Sequence, residues 1–286
     1  MNTLRRIPGI TWRSIVVAIC YFAGIIFAGL IGGVLGWQMP ASSGNGNNLI
    51  LLGVSVTLLG VFLGPLARRL GLARCQHFIL WESLILFNLG SVALEGAFFA
   101  PDLVTVSVPV LLVQQLLATT AAAAAITLLF TRPRLSFSWL EALRTRPWYS
   151  WLWRLVISAC SYIVFYYIFG GLNYSLVTKP YYESHAGGLA APAPGVVIVL
   201  ESIRGLLIIL SVLLLLLSIR GTWRKLIGMT GWLLFAIGGI IPLIWQINSL
   251  PFFLLFASAI EIFFQNFLTG VVSARLMGIE QQAAER

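Results

Sequence analysis

Long apolar runs alternate with short polar breaks along the whole chain. The runs cover residues 14–37, 49–66, 78–99, 103–130, 152–172, 195–219, 227–247 and 252–274. A helix needs about 20 apolar residues to cross a bilayer core roughly 30 Å thick, with ~17–25 the usual range. Helices also satisfy their own backbone polar groups, which lipid cannot do. The pattern therefore predicts an all-α polytopic bundle of eight transmembrane spans. The first run is too long for the apolar core of a signal peptide, roughly 7–15 residues, and is read as the first span.

The breaks are informative in their own right. Residues 38–48 form a polar, uncharged loop, and residues 173–194 read as a long loop on the same side. Residues 131–150 contain Arg132, Arg134, Arg144 and Arg146. Within them Ser138-Trp139-Leu140-Glu141 matches a capping box, in which Ser and Glu cap the first backbone amides of a helix. A short helix over 135–146, lying among the headgroups, is expected there. Gly29 and Gly33, Gly32 and Gly36, and Gly60 and Gly64 stand four apart, a spacing that lets membrane helices approach closely. It predicts tight packing of the first two spans.

Composition agrees with this picture. The chain is 59% hydrophobic and 9% charged, whereas soluble domains are about 25% charged. A net charge of +9 would suit a nucleic-acid binder, but the positions of the charges argue against one. With the N-terminus inside, every Lys and Arg except Lys179 and Arg204 falls on the cytoplasmic side, as the positive-inside rule requires. This predicts a plasma-membrane protein with both termini cytoplasmic and the loop 173–194 external. Anionic lipid of the inner leaflet is the natural counter-charge, and no nucleic-acid partner is expected. Cys20, Cys75 and Cys160 have no metal-ligand spacing. His77 and His185 fall on opposite sides of the membrane.

The two halves of the chain echo one another. Trp12-Arg13 and Ala18-Ile19-Cys20-Tyr21 resemble Trp153-Arg154 and Ala159-Cys160-Ser161-Tyr162. Gln114-Gln115-Leu116-Leu117 resembles Gln265-Asn266-Phe267-Leu268. The expected organisation is a four-helix half over 1–130, a cytoplasmic interfacial linker over 131–150, and a second four-helix half over 151–286. Four spans is an even number, so the halves would point the same way, as in parallel transporter repeats.

The chemistry concentrates in the sixth span. Glu201 and Arg204 lie about 9 Å and about 14 Å below its outer end, at roughly 1.5 Å per residue. A charge at such depth costs at least ~2.5–3.5 kcal/mol on insertion scales, so it must be paired or functional. Glu261 reaches a similar depth in the eighth span, and Gln265 lies one turn below it on the same face. Gln114 and Gln115 sit near the middle of the fourth span. The candidate intramembrane cluster is therefore Glu201, Arg204, Glu261, Gln265, Gln114 and Gln115, with Arg204 held by Glu201, Glu261 or both. Glu82 and Glu95 lie one turn from their helix ends and are expected to reach towards water. No Ser/His/Asp set, HExxH, Walker loop or Cys-rich motif is present, so the sequence names no catalytic residue, metal site or cofactor.

Four stretches, Tyr162 to Gly170, Pro180-Tyr181-Tyr182, Arg204-Gly205 and Asn266 to Gly270, resemble a group of uncharacterised bacterial multi-pass membrane proteins of chloroflexus type. The resemblance covers mainly the second half. It implies a bacterial source and this topology, and no activity. Two function classes remain. One is a small-solute or ion-coupled transporter with a site near Glu201, Arg204 and Glu261. The other is a non-catalytic subunit or scaffold that packs against a membrane-protein partner or another copy of itself. A water-accessible cavity reaching Arg204 would favour the first.

Overall fold

The computed structural model describes residues 7–37, 46–101, 107–131, 139–185 and 188–280. Among these, eight helices are long and apolar enough to cross a membrane. They are α1 (Ile7–Val34), α2 (Gly46–Ala67), α3 (Arg74–Phe99) and α4 (Val108–Phe130), then α6 (Trp148–Glu183), α7 (Pro194–Ser218), α8 (Trp223–Trp245) and α9 (Phe252–Met277). The short helix α5 (Trp139–Arg144) joins the two sets. Two-residue strands, β1 (Arg220–Gly221) and β2 (Ile279–Glu280), pair in parallel next to the ends of α7 and α9. The chain is thus an all-α, multi-pass membrane protein.

One boundary differs from the sequence reading. Residues 173–183 are not loop, because α6 continues through them to Glu183. The Ser175 hydroxyl folds back on the carbonyls of Gly171 and Leu172, and Lys179 pairs with Glu183 at 3.7 Å. Polar residues that suggested a loop are thereby accommodated on a helix of 36 residues. Such a helix spans about 54 Å, so it outruns a bilayer core of roughly 30 Å.

The ends of α6 and α9 are tied together where α5 meets them. The Trp139 indole donates to Ser218 Oγ at 2.8 Å, and Trp151 Nε1 donates to the Leu143 carbonyl at 2.8 Å. Arg146 and Arg154 both donate to the carbonyl of Leu276, at 3.1 and 2.5 Å. Those bonds satisfy carbonyl groups that a helix end leaves open, and place positive charge at its negative pole. Ser138 of the expected capping box lies outside the described residues.

Lipid tails are as apolar as Leu, so membrane helices are held by close packing and interhelical hydrogen bonds more than by exclusion of water. α1 packs on α4 and α2, and α3 packs on α4. In the second half α6 packs on α9 and α7, and α8 packs on α9. Across the middle, α3 packs on α7 and α2 on α8. Each of these pairs has its counterpart when α1, α2, α3 and α4 are matched in order with α6, α7, α8 and α9. Asn88 Nδ2 donates to Ser211 Oγ at 2.7 Å across α3 and α7, and Trp245 Nε1 donates to Ser55 Oγ across α8 and α2.

Small residues set the closest approaches, but not all of the expected ones. A Cβ on Gly24 would lie 2.6 Å from Ala118 Cα, so α1 and α4 touch backbone to backbone there. Gly60 approaches Ser14 Cα to 2.8 Å in the same sense, whereas Gly29 and Gly33 meet nothing within 4 Å. The buried stripe of α1 runs through Val17, Tyr21 and Ala28, and Gly24 falls on it. Gly29 and Gly33 are rotated off that stripe. Gly24→Val should therefore lower the unfolding temperature in detergent, by the ~1–3 kcal/mol typical of overpacking. Gly33→Val should leave it unchanged. Tryptophan fluorescence during heating measures both.

Candidate functional site

The deep charges assemble on α7 and α3. Glu201 and Arg204 are three residues apart, hence on one helix face. Arg204 Nη1 donates to both oxygens of Glu201 at 2.8 Å, and its Nη2 lies 2.7 Å from Glu95 Oε2. Tyr162 of α6 donates its hydroxyl to Glu201 Oε2 at 3.1 Å, and its ring lies under the guanidinium. Glu201 is wholly buried and Arg204 only 6% exposed. Charge-assisted bonds of this kind are about twice as strong as neutral ones. They are what makes a charge at this depth tolerable.

The pairing corrects two sequence expectations. Glu95 does not simply reach towards water, because Arg204 takes it as a second counter-charge. Glu261 is not a partner of Arg204. Its Oε2 instead accepts from the Asn173 amide at 2.5 Å. Its Oε1 occupies space that a Cβ on Gly170 would take, 2.9 Å away. Glu82, also expected to reach towards water, accepts from Thr119 and Thr120 of α4 at 3.0 and 3.1 Å.

These groups border a cavity of about 370 Å³ enclosed by α3, α6, α7, α8 and α9. Leu189, Pro192 and Leu250 line it at the loop end of the bundle, and Gln265 and Asn266 line it from the middle of α9. Arg204, Glu95 and Glu261 stand on its wall, and Glu201 lies behind Arg204. Gln265 is 4% exposed, and its Nε2 has no hydrogen-bond partner. Gln114 and Gln115 lie elsewhere. Gln115 accepts the Tyr21 hydroxyl at 3.0 Å, between α4 and α1, and neither glutamine borders the cavity.

Three wide helical turns shape the walls. Tyr166–Gly170 and Tyr174–Thr178 in α6, and Ala236–Ile240 in α8, are π-helical. Two of them come just before Pro180 and Pro242. A proline inside a helix lacks an N–H and presses on the carbonyl four residues earlier, so a widened turn ahead of it relieves both problems. Each wide turn also shifts the side-chain register. Tyr166, Tyr174 and Gly238, one from each turn, all line the cavity. Tyr182 completes an aromatic wall, with ring centroids 5.8 Å from Tyr174 and 6.2 Å from Phe99.

Sequence reasoning missed Glu95, Asn173 and the tyrosine wall. Glu95 was visible as a charge inside a span. Asn173 and Tyr174 were hidden because the helix was expected to end before them. No family model matches the chain, and no curated protein or solved structure matches it.

Removing one member of a buried ion pair costs ~3–5 kcal/mol, while replacing all members by apolar residues can be near neutral. Arg204→Leu alone should therefore unfold several degrees lower in detergent. Arg204→Leu combined with Glu201→Leu and Glu95→Leu should recover most of the loss. An unchanged melting temperature for the single variant would mean that Arg204 already shares water as its partner.

Proposed function

We propose that this protein is a small-solute transporter of a bacterial plasma membrane, with its binding site in the cavity beside Arg204. The observation that carries the reading is the cavity itself. It reaches from the loop end to charged groups deep within the apolar spans, and its volume falls in the range of roughly 300–1,000 Å³ usual for small-molecule sites. Charged residues inside spans mark substrate and ion pathways in membrane proteins. Proline-broken and widened helices are tolerated in lipid where they line such a cavity.

The positive-inside rule puts the basic end, with both termini, in the cytoplasm and the cavity mouth outside. The matched order of helix packing in the two halves supports an arrangement of parallel repeats. A second reading, a subunit that packs against a membrane partner, draws support from Gly29 and Gly33. Their open surface on α1 could accept a neighbouring helix.

Cysteine labelling tests the first reading. Ser258 lines the cavity on α9, one turn before Glu261, and Ser184 is exposed at the loop end. In a background with Cys20, Cys75 and Cys160 changed to Ser, both Ser258→Cys and Ser184→Cys should react in intact cells with a membrane-impermeant methanethiosulfonate. Labelling at Ser184 but not at Ser258 would close the cavity to water and end the transporter reading. Labelling at Ser184 only in inverted vesicles would reverse the orientation.

A further inference from the structure

We infer that the cavity takes a small organic ammonium ion, which competes with a proton for the carboxylate of Glu261. The inference rests on the cavity being a solute site and adds the class of solute.

Charge decides between a cation and an anion. The only basic group on the wall among the described residues is Arg204, and its guanidinium is already shared by Glu201 and Glu95. It has no positive charge left for an anionic ligand. Glu261 has an Asn173 amide as partner and, among the described residues, no Lys or Arg within salt-bridge distance. The site therefore carries acid in excess.

The rest of the wall distinguishes an organic cation from a metal ion. Among the described residues, no three His, Cys, Asp or Glu side chains gather closely enough to hold a metal. The cavity lining instead includes the aromatic residues Tyr166, Tyr174, Tyr182 and Phe99. Aromatic rings attract ammonium groups most strongly where water is excluded. Gln265, one turn below Glu261, also lines the cavity, and its buried Nε2 has no hydrogen-bond partner. A cavity of about 370 Å³ has the volume of about a dozen waters, at ~30 Å³ each. That limits the ligand to a small one.

Exchange follows from the same geometry. When the ammonium ion arrives, the Glu261 O–H bond breaks, the proton leaves to water through the mouth, and the carboxylate pairs with the cation. When the cation leaves, a proton returns. The other titratable groups around Glu261 are Glu95 on α3, the tyrosine hydroxyls of α6, and Glu201 with Arg204 on α7. No titratable side chain of α8 lines the cavity. Glu201 and Glu95 share the guanidinium, so Glu261 is the carboxyl that can change its proton without breaking an ion pair.

The test uses the full chain with Ser258→Cys as its only cysteine, in proteoliposomes. Cationic 2-(trimethylammonium)ethyl methanethiosulfonate should label it at least tenfold faster than the anionic 2-sulfonatoethyl reagent, after each rate is divided by that at Ser184→Cys. Benzyltrimethylammonium, whose charge is fixed at all pH values, should protect Ser258→Cys. The protecting concentration should rise as pH falls, because protons then occupy Glu261. Phenylpropionate should not protect. Glu261→Gln should weaken protection at least tenfold and remove its pH dependence, and Glu261→Asp should restore both in part. Gly170→Ala gives a second route. Its methyl would displace the flexible end of Glu261 without altering charge, and should also weaken protection. Faster labelling by the anionic reagent, protection by phenylpropionate, no protection by benzyltrimethylammonium, or protection unchanged in Glu261→Gln would each overturn the inference while leaving the cavity reading intact. Absence of any labelling at Ser258→Cys would instead remove the cavity reading itself.

Discussion

The cost of a guanidinium at membrane depth organises the second half of this protein. Arg204 cannot be deprotonated to escape the cost, since its charge is permanent under biological conditions. It must bring counter-charge with it. Its own helix supplies Glu201 one turn away, and a different helix, α3, supplies Glu95. That second bond crosses from the first four membrane helices to the last four. It fixes the same α3–α7 contact that Asn88 and Ser211 bridge further along both helices. A charge pair that would be weak evidence for stability in water is here what lets α7 carry Arg204 within the bilayer.

Holding Arg204 between two acids has a chemical consequence. With two carboxylates committed to one guanidinium, Glu261 is left with only a neutral amide donor. An ionised carboxylate among apolar spans is costly without a partner cation. The fold opens space beside it. Gly170 withholds a side chain where the carboxylate rests. The wide turns in α6 and α8 turn tyrosines and a glycine towards the same volume. Pair and cavity are therefore two outcomes of one arrangement of helices.

Much of the fold was legible because the bilayer imposes so strong a constraint. Span number follows from apolar length alone, and the eight runs correspond to eight helices. Depth along a helix also follows from counting, which is why Glu201, Arg204, Glu261 and Gln265 could be placed at one level. What counting does not give is rotation about the helix axis or lateral neighbours. Glu95, one turn from its helix end, was expected to reach towards water, and only the packing of α3 on α7 makes it the partner of Arg204. Gly29 and Gly33 had the right spacing but the wrong phase relative to Tyr21 and Ala28. Asn173 was lost for a different reason. A helix carrying Asn, Ser, Thr and Pro reads as a loop, and the wide turn that lets α6 pass into Pro180 leaves no mark in apolar periodicity.

The two halves show what the charges add. On the proposed repeat, Tyr21 and Tyr162 occupy equivalent places, and both are almost wholly buried. In the first half the tyrosine hydroxyl donates to a neutral amide, Gln115 of α4. In the second it donates to a carboxylate, Glu201 of α7. The helix packing has the same order in both halves, so the fold does not need the charges in order to form. A neutral hydrogen bond is enough at the equivalent position. The second half nevertheless carries two acids, Glu201 and Glu261, and a base, Arg204, at positions whose counterparts in the first half are uncharged. Such an arrangement carries a desolvation cost that the neutral pairing of the first half avoids.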